Sequence, residues 1–193
     1  TNTKCDVDLG VFFPYKPPIE IEAIQQNLKR ALDGHTRNGV TIKTNCVRVN
    51  YVSDFHIDLP VYYTNNYGEI FFGSRGYHWD KSDPKAFINW FKDETYNYPQ
   101  LVRIIRYLKA WSDNVKSKTD RKMPSGLALT IWAIEHYEGG NRDDVAFMKT
   151  ATGILNYLKD NFQFSWKAKM PVAPYDNVLD RLSGSQKDFF YNE

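Results

Sequence analysis

At 193 residues the chain has room for one domain or two small lobes around a substantial buried core. Its composition, 42% hydrophobic and 25% charged, is that of a soluble globular protein, and a net charge of +2 argues against a large nucleic-acid surface while leaving room for a small nucleotide pocket. No apolar run approaches the ~20 residues a membrane span needs, no signal peptide is visible, and Cys5 and Cys46 fall in runs that read as buried strands, so a reduced, cytoplasmic compartment is expected, with a single disulfide left open.

The chain opens on Thr1 and enters a strand directly, from which missing upstream sequence is expected. In CDVDLGVFF the side chains alternate: Cys5, Val7, Leu9, Val11 and Phe13 form an apolar face, and Asp6, Asp8 and Gly10 point the other way. The PYKPP segment is a turn or extended link. Residues 19–32 read as an amphipathic helix, with Ile21, Ile24, Leu28 and Leu32 at helical spacing. After a loop over 34–39, the run 41–51 alternates as one strand, and Ser53-Asp54 turns the chain into FHIDLPVYY. There Phe55, Ile57, Leu59, Val61 and Tyr63 face inward, while Asp58 and His56 face away. Asn65 to Gly68 is a hairpin turn, and 69–72 returns as a strand.

From residue 80 the pattern becomes helical. Asp83-Pro84 is a helix start, and Pro99 opens a second helix whose apolar stripe holds Leu101, Ile104, Ile105, Leu108, Trp111 and Val115. Ser125 caps a third, apolar on most sides, that stops at Gly139-Gly140; 143–159 is a fourth, 170–175 a loop, and 178–190 a last helix. The fold class is therefore α+β, a β-rich lobe over 1–80 followed by a helical lobe over 81–193. No glycine-rich dinucleotide or P-loop signature and no internal repeat is present.

If the two acidic strands pair with their apolar faces together, Asp6, Asp8 and Asp58 share one surface. Uncompensated carboxylates repel, so such a cluster calls for cations. Same-face strand positions lie about 7 Å apart, and their carboxylates can lean together to share two cations. Hard oxygen ligands suit magnesium, with manganese as the alternative, and a cation pair suits phosphoryl transfer. The competing interpretation of Asp-x-Asp is a solvated strand face; the third acid, Asp58, on an equally regular strand is what favours the metal.

Taken in order, CDVDLGVFF, VNYVSDFHIDLPVYY, WDKSDPKAFINWFKD, LVRIIRYLKAWSD and KMPSGLALTIWAIE resemble the bacterial CD-NTases. These are relatives of cyclic GMP-AMP synthase and oligoadenylate synthase that make oligonucleotide second messengers in anti-phage defence. The resemblance runs from Lys4 to about Phe190. It implies a nucleotidyltransferase-type mixed-sheet lobe, a helical lobe and an active site in the cleft between them. It also implies nucleoside triphosphate substrates, a cyclic oligonucleotide product and pyrophosphate release. Asp6, Asp8 and Asp58 match the family's metal ligands, and Asp58 would orient or help deprotonate the attacking ribose hydroxyl. Lys109 in RYLKAW matches a lysine that reaches the triphosphate, against the ordinary reading of a solvated lysine. Ser125 in PSG matches a phosphate-binding serine at a helix start, where free amides favour an anion; as a plain cap it is worth about 1 kcal/mol. Vertebrate relatives often carry a base-stacking aromatic next; here Gly126 stands in that place, so stacking comes from elsewhere or is weaker. The family's Gly-Ser motif precedes the first acidic strand, and the sequence starts too late to contain it. Gly73-Ser74 is a decoy in a loop after the third acid. Whether these 193 residues are active on their own is left open.

His56 reads as structural, and His35, His78 and His136 have no ligand spacing, so no zinc site is expected. Trp79, Trp90, Trp111, Trp132 and Trp166 read as core, and Arg103 and Arg106 as a solvated helix face. Arg48 and Lys43, on the middle strand, are candidates for approaching a second nucleotide. The sequence leaves two other functions open: a transferase that nucleotidylates RNA or protein, and a nucleotide sensor or scaffold without turnover. A regulatory protein partner is not identified by any motif.

Overall fold

The computed structural model describes residues 6–52, 55–76, 78–162 and 165–193, with Asp6 as backbone alone. Cys5 and the Ser53-Asp54 turn lie outside them. The chain divides into two units, Thr1–Asp83 and Pro84–Glu193, the first built mainly on strands and the second on helices, an α+β arrangement.

The first unit runs β1 (Asp6–Asp8), β2 (Val11–Phe13), α1 (Ile21–Ala31), β3 (Val40–Ile42), β4 (Val47–Asn50), β5 (His56–Leu59), β6 (Val61–Thr64), β7 (Ile70–Gly73) and β8 (Trp79–Lys81). Each acidic run is thus two short strands where one was expected. The breaks coincide: β1–β2 parts at Leu9-Gly10 and β5–β6 at Pro60, which has no N–H to extend a ladder. Two four-stranded sheets result, ordered β1-β5-β4-β3 and β2-β6-β7-β8. The parallel pairings β1–β5 and β2–β6 stay in register across the break, because Leu9 N–H donates to the Asp58 carbonyl and Val11 N–H to that of Pro60, both at 2.8 Å.

The run 41–51, expected as one strand, is a hairpin of β3 and β4. The buried positions shift from Val40 to Val47 and Val49, so the inward phase changes from even to odd numbers across the turn. These valines and Leu59 form the core of the first sheet, with Leu28 and Leu32 of the α1 segment packed on them. Burying each such side chain stabilises by roughly 1.5–3 kcal/mol. The apolar face of the first strand is not buried as expected: Val7 is 40% and Leu9 59% exposed, because α1 packs over β3 and β4. Gly73 closes β7 rather than lying in a loop. A Cβ there would sit 2.9 Å from the Trp79 ring, and Ser74 is buried and donates to the Asn45 side chain, so this Gly-Ser pair is structural.

The second unit holds α2 (Pro84–Thr95), α3 (Pro99–Thr119), α4 (Gly126–Glu135), α5 (Asp143–Asp160), a 3-10 turn (Val178–Arg181) and α6 (Gly184–Tyr191). The expected last helix is therefore split. Ser183 starts a new helix with a capping box: its hydroxyl accepts from the Gln186 N–H while the Gln186 side chain accepts from the Ser183 N–H. The core gathers Leu101 and Ile104 of α3 with Leu129, Ile131 and Trp132 of α4, and every residue from Ala128 to Ala133 is buried. Trp132 and Trp166 are core; Trp90 and Trp111 pack on its margin, and Trp79 meets Tyr63 edge to face in the first unit. Arg103 is exposed yet not merely solvated: its guanidinium donates to both oxygens of Asp143, at 2.6 and 2.9 Å, joining α3 to α5.

Candidate active site

The first sheet carries a transverse row. Thr41 on β3 is the Cα partner of Arg48 on β4, Arg48 of Asp58 on β5, and Asp58 of Asp8 on β1. Directly paired positions project to one side of a sheet. The neighbouring positions Val49, Ile57 and Val7 project to the other. Asp8 and Asp58 are therefore brought together on the face opposite the core. Asp6 is the Cα partner of His56, and its side chain lies outside the described residues.

Asp58 does not stand as a bare carboxylate. Arg48 Nε donates to its Oδ1 and Arg48 Nη2 to its Oδ2, both at 2.7 Å, with 28% of the arginine side chain and 14% of the aspartate side chain exposed. This fork holds the Asp58 carboxyl below its ordinary value; burial works in the opposite direction and is outweighed. The Cys46 thiol faces the same group. Burial and then the Asp58 charge push it up to about 11, so it stays a neutral thiol near pH 7. Asp8 is exposed, and its charge adds to burial in raising the Tyr62 phenol. Lys43 lies exposed in the β3–β4 turn rather than on the middle strand.

In the helical unit, Ser125 is the N-cap of α4, its hydroxyl accepting from the Ala128 N–H at 3.2 Å. The Lys109 stem crosses beside it, since a Cβ on Gly126 would lie 3.3 Å from Lys109 Cε. The Lys109 stem thus lies against the first residue of α4, next in sequence to Ser125. Burial lowers the Lys109 pKa, partly offset by the Asp113 charge. Gly126, in the place of an aromatic residue, is what leaves room for this lysine.

The amino-terminal third, residues 1–62, matches the family model of the cyclic GMP-AMP synthase DncV-like nucleotidyltransferase domain. A cyclic GMP-AMP synthase of Escherichia albertii is 27% identical over 168 residues, covering 80% of this chain and 37% of the relative. A c-di-GMP synthase of Roseivirga ehrenbergii is 24% identical over 170 residues, covering 72% and 44%. The GTP complex of the Bradyrhizobium diazoefficiens CD-NTase CdnG superposes with a TM-score of 0.78 at 15% identity, over 97% of this chain and 67% of that one. The chain is similar to the CD-NTases in its first third by the family model, and over nearly its whole length in fold. It spans less than half the length of these curated relatives.

The donor set suits a hard divalent cation: two carboxylates sit side by side on one face, and a third acid lies two positions along the same strand. Among the described residues no three His, Cys, Asp or Glu side chains gather as a complete ligand cluster. Also among them, no helix is long and apolar enough to cross a membrane. The contact that sequence reasoning missed is that of Arg48, considered for a second nucleotide and found here on Asp58. The signal was present: with Val47 and Val49 facing the core, Arg48 must share the face of Asp58 in any antiparallel pairing of the two strands.

Proposed function

We propose that this protein joins nucleoside triphosphates into a cyclic oligonucleotide second messenger. A ribose hydroxyl attacks the α-phosphorus of a second nucleotide and pyrophosphate leaves; repetition on the linear product closes the ring. The observation that carries the proposal is the pairing of Asp8 with Asp58 on the face of the first sheet opposite its core. Divalent cations, magnesium by donor chemistry with manganese as alternative, would be held by Asp6, Asp8 and Asp58, neutralising the triphosphate and acidifying the attacking hydroxyl.

The chain's own groups contribute position and charge. Asp58, beside Asp8 on the sheet, would orient or help deprotonate the attacking hydroxyl. Lys109 and Ser125 are proposed phosphate ligands: the lysine supplies a desolvated ammonium, and the start of α4 supplies backbone N–H groups. Support for purine triphosphates comes from the relatives, named as cyclic GMP-AMP and c-di-GMP synthases, and from the GTP held by CdnG. We extend the proposal to bacterial cytoplasm and anti-phage signalling on family likeness alone.

The test is direct. The protein is mixed with the four ribonucleoside triphosphates and magnesium or manganese, and phosphatase-resistant products are identified by mass spectrometry. A cyclic di- or trinucleotide is expected from the native protein and none from Asp58→Asn. Product of equal yield from Asp58→Asn would overturn the assignment.

A further inference from the structure

Arg48 sits in the row of Asp8 and Asp58 and spends two donors on the Asp58 oxygens, at 2.7 Å each. Without it, two neighbouring carboxylates would face each other uncompensated. The guanidinium keeps its proton at every usable pH, so it competes for Asp58 under all conditions in which a cation would bind. Its backbone is fixed to that of β5 by the antiparallel ladder, so the fork re-forms without ordering any further chain.

We propose that Arg48 is an exchangeable counter-ion: it occupies Asp58 while no divalent cation is bound and yields the carboxylate when one arrives. The proposal rests on reading Asp8 and Asp58 as cation ligands. A divalent ion brings more charge than the guanidinium and accepts oxygen donors from both acids at once, so it displaces the fork. The cost of breaking the fork is subtracted from cation affinity. Arg48 therefore sets the cation concentration at which the site loads.

Manganese affinity measured by electron paramagnetic resonance tests this on the native protein, Arg48→Met, Asp58→Asn and the double variant. Arg48→Met is expected to bind manganese about fivefold more tightly. Asp58→Asn is expected to weaken binding in either background, and removing Arg48 should then bring no gain. If Arg48→Met binds equally or more weakly while Asp58→Asn still loses manganese, the counter-ion role is overturned and the cation reading stands. If Asp58→Asn binds manganese as well as the native protein, both fall. Should Arg48→Met not fold, the native protein still decides: the Arg48 Nε–H resonance, assigned by its loss in Arg48→Lys, should move when magnesium saturates the site. A resonance that stays in place while magnesium binds would end the proposal.

Discussion

Asp8 of β1 and Asp58 of β5 are Cα partners across a parallel strand pair, so two acids that are distant in sequence leave the sheet side by side. Replacing either with asparagine preserves size and strand geometry while removing one anionic ligand. Product formation should fall by about 10²–10³-fold or more for each variant, with an unchanged circular-dichroism spectrum. Asp58→Ala should in addition lose stability by about 1 kcal/mol in urea titration, because Arg48 is left without its carboxylate but can be rehydrated.

Acid should destabilise both units, through different pairs. The Asp58 and Asp143 carboxyls are each held below the ordinary value of 3.8, the first by Arg48 and the second by Arg103, then Gln100. Depressed carboxyls contribute stability that is present above the unfolded-state value and lost as pH falls through the folded one. Thermal melts should therefore fall as pH drops below about 4, and Arg48→Met and Arg103→Met should each flatten that dependence. Melts of both variants that follow the native curve point for point would contradict this.

Gly126 separates the capping role of Ser125 from a phosphate role for the same helix end. A Cβ there meets Lys109 Cε at 3.3 Å, so Gly126→Tyr must push the lysine stem aside. Triphosphate affinity, measured by calorimetry, should weaken by about tenfold with the α4 cap intact. Ser125→Ala should instead cost about 1 kcal/mol of stability as well as affinity.

Gln100 uses its whole side-chain amide. Its Nε2 donates to the Gly140 carbonyl and to Asp143, and its Oε1 accepts from the Gly140 N–H and the Tyr137 hydroxyl. Gln100→Leu keeps the bulk and strips all four bonds from the junction of α3 with the start of α5. Equilibrium unfolding should register a loss of about 1–3 kcal/mol.

The shared face of Asp8 and Asp58 was legible because alternation in CDVDLG and FHIDLP sets the acids on the side of each strand opposite its apolar residues. The hairpin at 43–46 was written in the change of apolar phase between Ile42 and Val47, and the break at Ser183 in its spacing to Gln186. Both are local signals that a smooth periodic reading overruns. The exposure of Val7 and Leu9 was not legible, because periodicity identifies an apolar face and not what covers it. Nor was the Arg103–Asp143 fork, whose partners lie on helices separated by a whole intervening helix.

The parallel pairing of β1 with β5 also bears on how the molecule acquires its shape. The β3–β4 and β6–β7 hairpins close over a few residues, whereas joining β1 to β5 must first gather about fifty residues of intervening chain. Local contacts form quickly and long-range parallel ones slowly. The two acids therefore meet only after the hairpins that flank them exist. Arg48, the direct partner of Asp58 across β4 and β5, is therefore expected to be in place when the second negative charge arrives.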